Sequence, residues 1–245
     1  VMAVNGADAV VNLAGESVAG ARWTPERKLA LIKSRIDSTR DVVAAITAAN
    51  ERPLVLVNAS AVGYYGEEPE GECAEDAPQG SDFLAALCGQ WEREARAAEK
   101  LEVRVVMARL GVVLGKQGGA LTKMLTPFKL GIGGPLGSGR QPFPWIHLDD
   151  AVGAILFAID EADLSGPVNL AAPDAKTNAE FTKALGRALH RPAFLPAPAF
   201  ALRLALGEMS SLLLGGQNAT PKQLLAHDYK FRHPALDGAL ASLTK

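Results

Sequence analysis

Cysteine is scarce in this chain: Cys73 and Cys88 are the only two in 245 residues. So low a count excludes a disulfide-built scaffold and suits a reducing compartment. The pair is not a C-x-x-C, and the four histidines (147, 190, 227 and 233) show no metal-ligand spacing, so no metal site is expected. Charge of neither sign is in excess. Twenty-five basic and 27 acidic residues give a net charge of −2 and a pI near 6.1, which leaves no basic footprint for nucleic acid. No run approaches the roughly 18 apolar residues of a membrane span. Val1 to Asp8 has neither the basic start nor the apolar core of a secretory leader. Together these absences predict a protein of the cytoplasm, or of an organelle matrix or stroma after loss of a transit peptide. Its expected partner is a small-molecule substrate, with no nucleic acid and no membrane. A homodimer is left open.

What is present is apolar. A hydrophobic fraction of 48% can fill one large domain, or one domain with a small appendage. Leu54-Val55-Leu56-Val57-Asn58 is a short apolar run rich in β-branched residues, the pattern of a strand buried on both faces of a parallel sheet. It ends in Ala59-Ser60-Ala61-Val62-Gly63-Tyr64-Tyr65-Gly66, with hydroxyls and glycines where the chain leaves the sheet. Ligands of open α/β sheets bind outside the carboxyl ends of the strands, so Ser60, Tyr64 and Tyr65 are the candidate catalytic residues. Two further runs read as strands of the same sheet: Ala7 to Gly15, a buried strand leading to a Gly turn, and Val103 to Arg109. Val10, Val55, Val57, Val105 and Val106 are expected on central strands, with Asn12, Ser60 and Arg109 along one edge.

Helix signals lie between the runs. Thr24-Pro25-Glu26 combines a hydroxyl N-cap, Pro at the first helical position and an acid in the first turn, predicting a helix from there to about Asn50. Asp82 to Lys100 carries an inward stripe of Leu84, Leu87, Cys88, Trp91, Ala95 and Ala98 at spacings of three and four. Further helices are expected over Leu121 to Leu130, Ala151 to Asp160 (capped by Asp149 and Asp150), Asn178 to Leu189 and Ala199 to Leu214, and one more starts at Thr220-Pro221. Val168-Asn169-Leu170 reads as a short strand. Arg109 emerges where strand becomes loop. Its guanidinium fork suits either an ion pair that holds the loop or a contact to a phosphate or carboxylate. His147, beside a buried strand, is expected to be a hydrogen-bonded structural residue.

The strand, the Ser-Ala-x-Gly-Tyr-Tyr-Gly loop and the helix with Trp91-Glu92 resemble an extended short-chain dehydrogenase/reductase. More narrowly they resemble its atypical branch of NAD-dependent epimerase/dehydratase-like oxidoreductases. Four more segments match in order: Val11-Asn12-Leu13-Ala14-Gly15-Glu16, Arg109 to Leu114, Gly118-Gly119-Ala120-Leu121, and Trp145-Ile146-His147-x-Asp149-Asp150. The resemblance implies an α/β, NAD(P)-binding Rossmann-like doubly wound parallel sheet with a small helical C-terminal domain. The first domain would be residues 1–195, with substrate-lobe segments 115–145 and 170–195, and the second 196–245. In the resembled family Ala7 to Gly15 is the fourth strand. Two βα units of about 30 residues each and the phosphate-cradling G-x-x-G-x-x-G turn would precede it. The chain therefore reads as N-terminally truncated. The cluster Gly131 to Gly139 is no substitute, because it neither follows a β-rich run nor opens a helix.

The same resemblance implies NAD or NADP as cofactor, the preference being unreadable. It places cofactor contacts at Asn12, Ala14, Gly15, Arg35 and Arg109, and substrate contacts at Glu16, Trp23, Gln141 and Trp145. The activity implied is an NAD(P)-dependent oxidoreductase or nucleotide-sugar epimerase. One part is missing. Ordinary members work through Tyr-x-x-x-Lys, the Lys charge lowering the Tyr pKa so that the phenol can trade a proton near neutrality. None of the three tyrosines here has Lys four residues later. Aligning Glu92 with the family glutamate puts Leu84 in the Tyr slot and Cys88 in the Lys slot. A catalytically silent dinucleotide-binding or regulatory protein is therefore the alternative.

Overall fold

A computed structural model describes residues 3–67 and 71–244. Four parallel strands form the main sheet in the order β1-β2-β3-β6: β1 (Ala9–Asn12), β2 (Val55–Ala61), β3 (Arg104–Leu110) and β6 (Gly166–Leu170). A second pair, β4 (Val112–Gly115) and β5 (Trp145–His147), is also parallel. The helices are α1 (Pro25–Thr47), α2 (Phe83–Ala95), α3 (Gly119–Lys129), α4 (Leu148–Asp160), α5 (Asn178–Ala188), α6 (Ala199–Leu206), α7 (Ser211–Leu214), α8 (Lys222–Ala226) and α9 (Leu236–Thr244).

The apolar runs become central strands because alternate residues are claimed from both sides. Leu56, Val105 and Met107 pack with Ile46 of α1 and Ala95 of α2. Val55, Val57, Val106 and Ala108 pack with Ala151, Ala154 and Ala158 of α4. The sheet is thus doubly wound. A separate core joins Leu114, Leu121, Phe143, Trp145, Phe181 and Leu185 to Leu236 and Leu240 of α9. The C-terminal segment therefore shares its apolar side with α5. No helix among the described residues is long and apolar enough to cross a membrane.

Several expectations need adjusting. β1 lies at the edge of the described sheet, with Val11 40% exposed, so Val10 is on an edge strand and not a central one. Helix α1 stops at Thr47, and α2 gives way to a 3-10 stretch over Arg96–Leu101. The expected helix 199–214 is broken at Gly207, whose φ of +61° an α-helix cannot continue. His147, not the Asp pair, caps α4: its Nδ1 accepts from the Asp149 N–H at 3.0 Å. Asp150 instead accepts from the Arg232 and His233 amides at 2.6 and 2.9 Å, tying down the chain before α9.

Candidate functional site at the carboxyl edge of the sheet

Parallel register brings the polar strand ends together. Asn12 lies opposite Asn58, Ser60 opposite Arg109, and Arg109 opposite Asn169. Asn12, Ser60 and Arg109 thus share one edge, as their sequence positions predict. What the sequence does not show is that most of these groups face one another.

Arg109 is 2% exposed. Its Nε and Nη2 donate to the two carboxylate oxygens of Glu92 at 2.8 and 2.9 Å. Its Nη1 donates to the Tyr65 hydroxyl at 3.0 Å and the Glu75 carbonyl at 3.1 Å. Burial works against the charge, and the fork-to-fork bonds with Glu92 more than offset it, so the guanidinium is held above its usual pKa. Four of its five N–H groups are thus committed within the buried network. Of the two readings of Arg109, the structure selects the ion pair, and the expected cofactor contact is corrected accordingly.

Ser60 and Tyr65 belong to the same network. Ser60 donates to Glu92 Oε1 at 2.7 Å, and Tyr65 donates to Asn169 Oδ1 at 2.7 Å. Both residues are buried. Burial pushes the Tyr65 phenol up to about 12, although the Arg109 charge pulls the other way. A proton held that tightly does not trade near neutrality. The structure therefore moves Ser60 and Tyr65 from the catalytic set to the framework. Tyr64 differs. It is half-buried, its ring lies 3.5 Å beneath the Arg109 guanidinium, and it meets Tyr65 edge-on at 5.6 Å. Among the described residues its hydroxyl has no hydrogen-bond partner and is not sealed off.

Leu84 and Cys88 follow the expected pattern. Leu84 is half-buried and packs over Gly63, and Cys88 is 3% exposed. Burial pushes the Cys88 thiol up to about 12. Neither side chain can supply or assist a phenolate.

At the end of β1, Asn12 is also committed. Its amide donates to Thr39 Oγ1 at 3.0 Å and to Asn58 Oδ1 at 2.7 Å, and its own oxygen accepts from the Ala14 N–H at 3.2 Å. Trp91 completes the cluster by donating to Thr39 Oγ1 at 2.9 Å. Asn12 therefore sets the turn and does not reach out from it. Arg35 supports the turn from below, donating to the Leu31 and Glu16 carbonyls at 3.1 and 2.9 Å while lying 5.1 Å over the Trp91 ring. Burial lowers its pKa. A Cβ on Gly15 would sit 3.1 Å from the Arg35 guanidinium carbon, so a side chain there would press on Arg35. The outcome is an exposed Ala14-Gly15 backbone at a strand's carboxyl end, held from beneath by two committed side chains.

The substrate-side expectations divide. Glu16 is exposed and pairs with Arg27. Trp23 is 8% exposed, donates to the Val18 carbonyl at 2.8 Å and packs with Leu31, Leu87 and Met209. Trp145 is 1% exposed and donates to the Asp174 carbonyl at 2.9 Å. Both tryptophans are core residues, because an indole is most stable with its ring packed and its N–H paired, so their substrate contacts are corrected. Gln141 is intermediate. Its amide nitrogen donates to the Leu136 and Leu213 carbonyls at 3.0 and 2.8 Å, while its buried oxygen has no partner among the described residues.

Sequence spacing also missed a cluster. His147, Asp149 and His233 bring ligand-type atoms within 4.8 Å of one another. His147 has both nitrogens engaged, Nδ1 by the Asp149 amide and Nε2 by Ser242 Oγ at 3.2 Å. The cluster works as a clasp between α4 and α9.

With this geometry in hand, comparison with known proteins decides the family. The profile of the "NAD dependent epimerase/dehydratase family" matches residues 1–171. The chain belongs to that family. A "Domain of unknown function (DUF1731)" matches residues 197–243. Among family members, "Epimerase family protein MT2273" of Mycobacterium tuberculosis is 46% identical over 99% of this chain and 80% of its own length. The crystal structure of human "epimerase family protein SDR39U1 (isoform2) with NADPH" superposes with a TM-score of 0.94 at 39% identity, over 98% of this chain and 83% of that one. The Bacillus cereus UDP-glucuronic acid 4-epimerase, in complex with NAD and a fluorinated UDP-sugar, has a TM-score of 0.78 over 99% of this chain and 76% of that one. At 16% identity it attests the shared fold alone.

Proposed function

We propose that this protein is an NAD(P)-dependent oxidoreductase or epimerase that binds its dinucleotide at the Ala14-Gly15 turn and uses Tyr64 as its proton-exchanging hydroxyl. The observation that carries the reading is the division among the strand-end hydroxyls. Ser60 and Tyr65 are locked to Glu92 and Asn169, whereas the Tyr64 hydroxyl has no partner among the described residues.

The residues present fit a dinucleotide. Exposed backbone at a parallel strand's carboxyl end is where such ligands sit, and Gly15 keeps that backbone free of a side chain. The NADPH named for the human relative supports the same cofactor class. Bound there, the nicotinamide supplies hydride exchange. The chain's own part is to orient and to move a proton. The Arg109 guanidinium, 3.5 Å from the Tyr64 ring centroid, holds that ring in place at the strand end. The hydroxyl of Tyr64 suits a hydroxyl- or carbonyl-bearing substrate, with the exposed Glu16 beside the turn.

The test is a titration with NADPH and NADH followed by cofactor fluorescence, then a screen of carbonyl and nucleotide-sugar substrates. Tyr64→Phe should leave cofactor affinity within about twofold and lower turnover at least about a hundredfold, the usual range for a general acid–base group. The apolar Leu84 and Cys88 favour a second reading, a silent dinucleotide-binding protein. Tight cofactor binding without hydride transfer to any substrate would select it.

A further inference from the structure

The last turns of α5 carry a feature that the proposed site does not use. Lys183 and Arg187, four apart, share one side of the helix, and the turn that follows it carries His190 and Arg191 to the same hollow. The opposite side, Phe181, Ala184 and Leu185, is buried in the core. The cationic residues line an open hollow of about 570 Å3 together with Gly186, Ala193 and the exposed Phe194. Helix α5 has 11 residues, so its two ends are about 16 Å apart at 1.5 Å per residue. The first turn follows the carboxyl edge of the sheet, and the hollow stands well away from it.

The bland reading is a solvated helix end whose cations complement the helix dipole. Two observations weigh against it. First, Lys183 and Arg187 are like charges four apart, which repel. Among the described residues, only Arg187 has a carboxylate partner, Asp237 at 2.8 Å. Second, the helix ends in a Schellman turn: Arg191 N–H donates to the Gly186 carbonyl at 2.9 Å and His190 N–H to the Arg187 carbonyl at 3.1 Å. The left-handed residue of such a turn is ordinarily glycine, yet here it is His190 at φ +52°. An imidazole is kept at the rim despite the strain of that backbone. Gly186 closes the arrangement. A Cβ there would meet Ala193 at 2.6 Å, so its absence lets the returning chain bring Arg191 and Phe194 beside Lys183 and Arg187.

We propose that this hollow is a second ligand site, separate from the dinucleotide edge, that takes a phosphate-bearing anion. The three full cations and the imidazole hold the phosphate oxygens, and the Phe194 ring receives the ligand's apolar or flat portion. The phosphate could belong to a soluble polyphosphate or to a lipid headgroup, and two arms of one experiment tell these apart. The intact protein is titrated calorimetrically with tripolyphosphate at low ionic strength, and sedimented with phosphatidylcholine vesicles with and without phosphatidylglycerol. Binding in the first arm assigns a soluble ligand, and binding to the anionic vesicles alone assigns a headgroup. In whichever arm binds, Lys183→Gln with Arg191→Gln should weaken affinity by about tenfold. His190→Gly is the decisive variant. It should raise the melting temperature, because glycine relieves the left-handed strain, while lowering affinity. Binding in neither arm overturns the proposal, as does affinity unchanged in both the double variant and His190→Gly.

Discussion

Replacing Arg109 by Met tests the idea that the strand-end polar groups form a framework. The substitution keeps an unbranched, apolar stem and removes the guanidinium. Glu92 loses both charge-assisted bonds and keeps only the Ser60 donor, and the Tyr65 hydroxyl and Glu75 carbonyl each lose a partner. Glu92 is 3% exposed, so water cannot replace what is lost. Breaking a buried pair from one side costs about 3–5 kcal/mol, a large share of a typical net stability of about 5–15 kcal/mol. At about 2–4 °C per kcal/mol for a chain of this size, the melting temperature should fall by about 6–20 °C. Adding Glu92→Gln removes the stranded charge and should restore part of the loss. Urea unfolding followed by circular dichroism measures both variants. A cost below about 1 kcal/mol for Arg109→Met would refute the reasoning, since it would mean the carboxylate is solvated or was never paired.

Two further outcomes follow from shifted titrations. Burial first, and the neighbouring His233 second, lower the His147 pKa below its ordinary 6.5. The unfolded chain then takes up a proton that the folded one refuses, so stability should be full above about pH 6.5 and fall as the pH drops below it. His147→Asn, which keeps an N-cap acceptor, should flatten that slope in pH-dependent unfolding curves. Cys88, with its thiol pushed up to about 12, should resist a thiol reagent at neutral pH until the protein unfolds; labelling as fast as that of a free thiol in the native state would contradict its burial.

The sheet was legible because its signal is local. Val55-Leu56-Val57 and Val105-Val106-Met107 are short, β-branched and bounded by turn residues, the pattern of strands claimed from both faces. The starts of α1 after Thr24 and of α2 after Asp82 follow from cap chemistry that spans a single turn, and α5 begins at Asn178 as expected, capped by Thr177. The strand-end site was half legible. Periodicity and topology place Ser60 and Arg109 at one edge, but only the register, which sets Ser60 opposite Arg109 with Glu92 above both, shows that they satisfy each other. The tryptophans misled for a related reason. Trp23 and Trp145 sit in ligand-type segments, yet their rings turn inward to cores assembled from distant helices. Helix α9 escaped notice because nine residues of Leu, Ala and small polar types carry little signal without α5 to pack against. The β4–β5 pair is too short to be seen without its partner.

Amide chemical shifts recorded during an NADPH titration show directly whether the dinucleotide lies on the Ala14-Gly15 turn with its reacting end toward Tyr64. The account predicts that the largest changes fall on the Ala14, Gly15 and Tyr64 amides, with those of Lys183, Arg187 and Arg191 moving little. Saturable changes that leave Ala14 and Gly15 unmoved and gather elsewhere would contradict it.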